Sequence, residues 1–511
     1  MIISLPLLTL VTTLAVFPRS LSASELKVRN LDEDETPPHH GCQGLLDDSQ
    51  PPQKKLVGIE YESVTDTDYR VQNEMGPTAA KCINGFAGGY PCDRVDLLSV
   101  MDLSDLGNCG LGGTSVKGND VWGWTDEKND DEYALMGTRQ GIVFIRITDP
   151  LNPVCVGGLP TSPSTWMDIK TYTGGSDDDM KLAVIGSESK NFGVYFFDLD
   201  RLKDAALGST FQEDFEFTGV SNSHNVFINN DSGYGYFVGS STCQGGLVVM
   251  EMTTGNSAGC FSGDGYTHDV QCVIYKGPDL DFIGREICFA SNEDSVTIVD
   301  VNDKDNMFQI SKNKYDKDAY THQGWLNDAQ THFIFNDELD EKKGFVSKTT
   351  THVMDVTSLK DVQYLGNYGG RTRAIDHNLY VHGDYVYQAN YQAGFNLLKI
   401  KNISTLEFEE AGFFDIYPAS DLNEFNGAWS SYAGFKSGTI IVSGLEQGLF
   451  MLKRSNECVD DPNFMKTRGG KNQIIARTCK YISLTKARAK KWCNKRKRGE
   501  LISEICCQTC S

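Results

Sequence analysis

Four stretches of the chain begin with a histidine flanked by hydrogen-bonding side chains: Ser223-His224-Asn225, Thr267-His268-Asp269, Thr321-His322-Gln323 and Asp376-His377-Asn378. Each then runs into apolar or aromatic residues that read as a β-strand. Imidazole beside carboxylate is the donor set used for Zn²⁺ and similar ions. The same groups are equally suited to hydrogen-bond neighbouring backbone and ordered water. The candidate ligand or metal residues are Asp168, His224, His268, Asp269, His322, Asp376 and His377, and the cofactor they imply is a divalent metal, Zn²⁺ or Ca²⁺. No nucleophile elbow, metalloprotease helix motif or phosphate-cradling loop accompanies them, so no residue is given a catalytic role.

The elements that must position these residues recur. The four histidines are 44, 54 and 55 residues apart. Polar strand heads of the same kind occur at Asp120 and Trp122, at Trp166 and Asp168, and at Asn426 and Trp429, which makes seven heads. A second signature, an apolar strand followed by a turn, alternates strictly with them: "GIVFIRITDP", "GVYFFDLDRL", "GLVVMEMTTG", "SVTIVDVNDK", "THVMDVTSLK", "GFNLLKIKNI" and "GLFMLKRSN". Two further short strands fit into each unit. The stretch "AIDHNLYVHGDYVYQAN" reads as a hairpin turning at His382-Gly383-Asp384. Four antiparallel strands per unit and seven units predict an all-β, seven-bladed β-propeller over 81–455. The seventh unit lacks its last strand, and the orphan "RVDLLSVMDL" at 94–103 is placed to supply it and close the ring. In such a ring the first strand of every blade lines the central channel, so the seven heads converge on one mouth.

The first 23 residues, with an apolar run from Ile2 to Phe17, read as a secretory signal peptide, and 24–80 as a flexible leader that includes His39-His40. No later run is long and apolar enough to span a membrane. Fifteen cysteines point to an oxidising compartment. Spacing suggests local bridges Cys82/Cys92, Cys243/Cys260 and Cys272/Cys288, with Cys109/Cys155 as a further pair and Cys42 left over. Six more, Cys458, Cys479, Cys493, Cys506, Cys507 and Cys510, crowd into a small module at 456–511. Net charge is −22, yet the tail from Cys458 holds thirteen Lys/Arg against four Asp/Glu. So acidic a body argues against nucleic acid as a partner. Acidic stretches at 125–133, 174–181 and 336–344 could bind Ca²⁺ through clustered carboxylates or simply be solvated loops. Asn230 and Asn402 head Asn-x-Ser sequons and are candidate glycan acceptors.

The stretches "FSGDGYTHDVQCVIYKGPDLDFIGREICFASNEDSVTIVDVNDK", "YTHQGWLNDAQTHFIFNDELDE" and "GFFDIYPASDLNEFNGAWSSY" resemble the LVIVD-repeat, choice-of-anchor B family, and the resemblance covers roughly residues 80–453. It implies a secreted β-propeller and no established activity. The tail, with its Cys-Val-Asp-Asp opening and "ICCQTC" ending, resembles ShK-toxin-like (ShKT) domains, which implies a small interaction module. It departs from that pattern because Cys510 is followed only by Ser511. The expected function is that of a secreted, surface-associated binding protein whose partner is an extracellular protein or polysaccharide rather than a small-molecule substrate. The alternative is a metal-dependent hydrolase or oxidoreductase with a His/Asp site at the channel mouth.

Overall fold

The computed structural model describes residues 79–113, 116–175 and 180–455, together with the backbone of two short tail hairpins, Lys466–Gly470 with Gln473–Arg477 and Arg496–Lys497 with Glu500–Leu501. The expected signal peptide, nearly all of the leader with its histidine pair and Cys42, the six tail cysteines, and Asp177 to Asp179 of one acidic stretch lie outside the described residues.

Seven sheets of four or more strands form the body, each built outward from an inner strand. In order these inner strands are Gly118–Asp126, Met167–Gly174, Asn225–Asn229, Asp269–Ile274, Thr321–Leu326, Asn378–His382 and Ala428–Tyr432, and they define blades 1 to 7. Each inner strand neighbours the next, and that of blade 7 neighbours that of blade 1, so the ring closes. The expected hairpin is present: Asn378–His382 pairs with Tyr385–Ala389 around Gly383, whose φ of 56° is the left-handed conformation that glycine adopts without strain.

The middle strands of each blade are apolar on both sides because each blade is sandwiched between two others. Phe144 of blade 1 stacks on Phe197 of blade 2 at 4.6 Å, and Phe289 of blade 4 stacks on Phe333 of blade 5 at 5.5 Å. Ile441 and Met451 of blade 7 share a buried cluster with Met136 and Val143 of blade 1. Outer strands such as Phe308–Asn313 and Gln363–Gly369 are correspondingly exposed. A register shift recurs between the third and fourth strands of blades 1, 3, 4, 5, 6 and 7. Such bulges sharpen the twist of the outer edge.

The orphan strand completes blade 7. Val95–Met101 runs antiparallel to Gly448–Arg454, from Val95 opposite Arg454 to Met101 opposite Leu449. A strand that precedes blade 1 and the last strand of blade 7 thus share one sheet, leaving no open seam in the ring. Two additions were not legible in the sequence: Tyr90–Asp93 and Phe86–Ala87 extend blade 6 outward, and Ser209–Thr210 adds a parallel strand to blade 1. All eight cysteines among the described residues are paired, as Cys82–Cys92, Cys109–Cys155, Cys243–Cys260 and Cys272–Cys288. No helix among the described residues is long and apolar enough to cross a membrane.

Candidate functional site in the central channel

The four imidazoles, on the heads of blades 3 to 6, form a row. Ring centroids lie 4.2 Å apart between His224 and His268, 4.1 Å between His268 and His322, and 4.6 Å between His322 and His377. All four are buried. Gly239, at φ 65°, lets the row form, since a Cβ there would come within 2.5 Å of the His224 Cβ.

What each ring bonds to decides its chemistry. His268 Nδ1 donates to the His322 carbonyl at 2.9 Å, His322 Nδ1 to the His377 carbonyl at 3.0 Å, and His377 Nδ1 to the Trp429 carbonyl at 2.6 Å. A carbonyl only accepts, so Nδ1 carries the proton in all three and Nε2 keeps its lone pair. Burial holds these three imidazoles neutral. His268 and His322 lie well below the usual range, and His377 is lowered to about 3. His224 differs: burial works against its charge, but Glu188 at 2.5 Å from Nδ1 outweighs it and raises the pKa.

The residue after three of the four histidines also bonds to the next blade, whereas Asp269 accepts from the Val270 amide of its own strand. Asn225 donates to the His268 carbonyl at 3.1 Å, Gln323 exchanges two 2.9 Å bonds with the Leu379 backbone, and Asn378 donates to the Trp429 carbonyl at 3.1 Å. Asp120 and Asp168 occupy the same position in blades 1 and 2 and accept from the Ile169 and Val226 amides at 3.2 and 2.7 Å. The polar heads therefore stitch inner strand to inner strand.

Below the imidazoles sits a buried ammonium. Lys170 lies 2.6 Å from Asp168 and 3.3 Å from Asp120. Burial raises Asp168 well above the carboxylate range despite the ammonium, whereas Asp120, buried as deeply, is held below it by Lys170. The site thus balances one ammonium against about one carboxylate charge. Burial also pushes Asp269 up to about 7. Deeper still, aromatic rings from opposite sides meet across the axis. Trp122 of blade 1 and Trp325 of blade 5 flank Tyr380 of blade 6 at 5.3 and 5.1 Å, and Phe227 of blade 3 meets Trp325 at 5.9 Å. These rings plug the channel. The free space above them, about 20 Å³, is room for one water molecule or one ion.

Of the residues expected at the mouth, Asp168, His224, His268, Asp269, His322 and His377 line this space. Asp376 does not: its carboxylate lies with Asp340 and Glu341. The stretch 336–344, read as an acidic loop that either binds Ca²⁺ or is solvated, is buried from Asn336 through Glu341, because it begins as the end of the second strand of blade 5. Asn230 and Asn402 are both exposed. Sequence reasoning missed Lys170, whose place two residues after Asp168 on the same strand face was a usable signal. It also missed Glu338, which accepts from the Tyr391 hydroxyl at 2.6 Å and lies 4.0 and 3.7 Å from Nε2 of His322 and His377.

No protein-family model and no curated protein matches this chain. Among solved structures it is similar to the Cps50 (Swd1) β-propeller domain of Myceliophteria thermophila (10% identity, 66% of this chain and 95% of that one, TM-score 0.42). It is also similar to a putative 6-phosphogluconolactonase of Bacteroides fragilis (11%, 63% and 90%, 0.41) and to the computationally designed Ika8 protein (9%, 74% and 96%, 0.41). At these scores the likeness adds nothing to the count of seven blades, which stands on strand pairing alone: the chain is an all-β, seven-bladed propeller closed by its own N-terminal strand.

Proposed function

We propose that the chain is an exported, extracellular binding protein whose propeller is a scaffold and whose channel histidines hold the ring together. The observation that carries this reading is the bonding at the channel mouth. Three of the four imidazoles spend Nδ1 on the next blade's backbone, and the remaining space admits nothing larger than a water or an ion. An organic substrate has no room there, so recognition falls to the loops of the outer surface and to the basic tail, with an extracellular protein or polysaccharide as partner. Export is supported by the apolar N-terminus and by the pairing of every described cysteine. Membership of the LVIVD-repeat, choice-of-anchor B family and an ShKT-like tail belong to the same proposal. Expression in a secreting eukaryotic host tests it. The product is expected in the medium, cleaved near Ala23, with the eight paired cysteines inert to alkylation until reduced. Retention in the cell with those eight thiols alkylated would overturn it.

One observation favours a second reading, a metal-dependent hydrolase or oxidoreductase. His322, Glu338 and His377 each offer a donor atom within 4.8 Å of the others, a spread that a transition metal with bonds of about 2 Å can bridge. Elemental analysis separates the two readings. A stoichiometric transition metal, lost in the folded His322→Ala/His377→Ala variant, would replace the scaffold reading of the channel.

A further inference from the structure

Beside the channel, the protein buries a group of carboxylates that nothing in its ring architecture explains. Asp340, Glu341 and Asp376 are 1%, 4% and 0% exposed, and one oxygen from each lies within 4.8 Å of the others. Asp340 and Glu341 are each anchored by one oxygen: His352 Nε2 lies 3.0 Å from Asp340 Oδ2, and the Thr350 amide donates to Glu341 Oε1 at 2.8 Å. His352 is itself fixed through Nδ1 by the Tyr364 hydroxyl at 2.8 Å. The other oxygens, Asp340 Oδ1 and Glu341 Oε2, are buried without a hydrogen-bond partner, as are both oxygens of Asp376. Crowding four under-bonded carboxyl oxygens in one buried place is costly, because the groups must either stay charged without a cation or take up protons. Among the described residues no Lys or Arg forms an ion pair with any of the three.

The position of Asp376 adds a second, independent indication. It immediately precedes the channel histidine of blade 6, and the equivalent residues of blades 3, 4 and 5 are Ser223, Thr267 and Thr321. Ser223 bonds to local carbonyls at 2.9 and 3.1 Å, and Thr321 to the Tyr315 hydroxyl at 2.9 Å. A hydroxyl thus serves the fold at this position. Blade 6 carries a carboxylate instead, aimed at two others.

We propose that Asp340, Glu341 and Asp376 form an all-oxygen binding site for a hard divalent cation of the Ca²⁺ class, which ties blade 5 to blade 6. Bonds of 2.3–2.6 Å from a central Ca²⁺ place ligand oxygens up to about 5 Å apart, which the cluster satisfies. With oxygen donors alone, the site is unsuited to zinc or copper, which take imidazole and thiolate. Burial first, and then the neighbouring carboxylates, push Asp376 and Glu341 well above the usual range, with the Asp337 amide working the other way on Asp376. A cation removes that conflict without protonation.

The test uses the full-length chain, with calcium content read by mass spectrometry after exhaustive dialysis and melting followed in EGTA and in 1 mM CaCl₂ or MgCl₂. About one Ca²⁺ per chain is expected, and a Tm higher by about 5 °C at a hundredfold excess over Kd. Asp376→Thr, which restores the hydroxyl of the sibling blades, and Glu341→Gln are each expected to weaken calcium at least tenfold. If one variant fails to fold, the other and the wild-type titration still decide. Absence of bound calcium with equal Tm in EGTA and calcium would overturn the proposal, as would calcium retained at full affinity in both variants. Because the readout is calcium and melting rather than export or zinc, its failure leaves the scaffold reading untouched.

Discussion

Asp376 and His377 are adjacent in the chain, yet they belong to opposite kinds of interior. His377 points into the channel, where its Nδ1 proton is given to the Trp429 carbonyl and burial keeps the ring neutral. Asp376 points away from it, among carboxylates, with no side-chain donor to either oxygen and only the Asp337 amide acting on it. One interior satisfies its polar groups by stitching backbone to backbone, and the other leaves them pointing at one another. Repeated, satisfied groups mark architecture, whereas a single unsatisfied departure from the repeat marks a place for something else.

The two interiors respond differently to truncation. His377→Ala removes a buried ring and one of the two hydrogen bonds to the Trp429 carbonyl, so a loss of about 3 kcal/mol is expected in denaturant titration, in EGTA and calcium alike. Asp376→Thr changes sign with the medium: in EGTA it gains about 1–2 kcal/mol by removing orphan oxygens, and in calcium it falls below wild type. Equal behaviour of the two variants in both media would erase the distinction.

Acid sharpens it further. His377 is neutral when folded, with its pKa lowered from 6.5 to about 3, so the unfolded chain takes up a proton that the folded one refuses. Its contribution is intact above pH 6.5 and is lost as pH falls below that, by about 1.4 kcal/mol per unit. Stability of His377→Asn is therefore expected to fall less steeply than wild type between pH 6 and 4, and parallel curves would count against a neutral His377. The smallest effect is on the surface, where Lys436 pairs with Glu127 at 2.5 Å, both exposed. Glu127→Gln should leave the denaturation midpoint and any calcium response unaltered, because an exposed pair is screened by solvent.

Much of this molecule was legible in its sequence because it repeats. Seven polar strand heads and seven apolar strands in alternation give the blade count, and the orphan strand at 94–103 gives the closure, since each signal is reinforced by its copies. What does not repeat was hidden. Asp376 was grouped with the channel because it is next to His377, but it lies before the strand Asn378–His382 and its carboxylate joins Asp340 and Glu341 instead. Asp340 and Glu341 lie in a stretch whose charge reads equally as a Ca²⁺-binding or a solvated loop, and only the packing of blade 5 against blade 6 shows that they are buried. Glu338 acquires Tyr391, and Lys170 its second carboxylate Asp120, from other blades, which local spacing does not encode.

The central claim, that the channel histidines join blades rather than serve chemistry, is tested most directly by imidazole nitrogen resonances in histidine-labelled protein. His268, His322 and His377 are predicted to be neutral Nδ1–H tautomers from pH 7 to 5, unmoved by one equivalent of Zn²⁺. Nε2–H tautomers, or zinc-shifted Nε2 signals at His322 and His377, would contradict it.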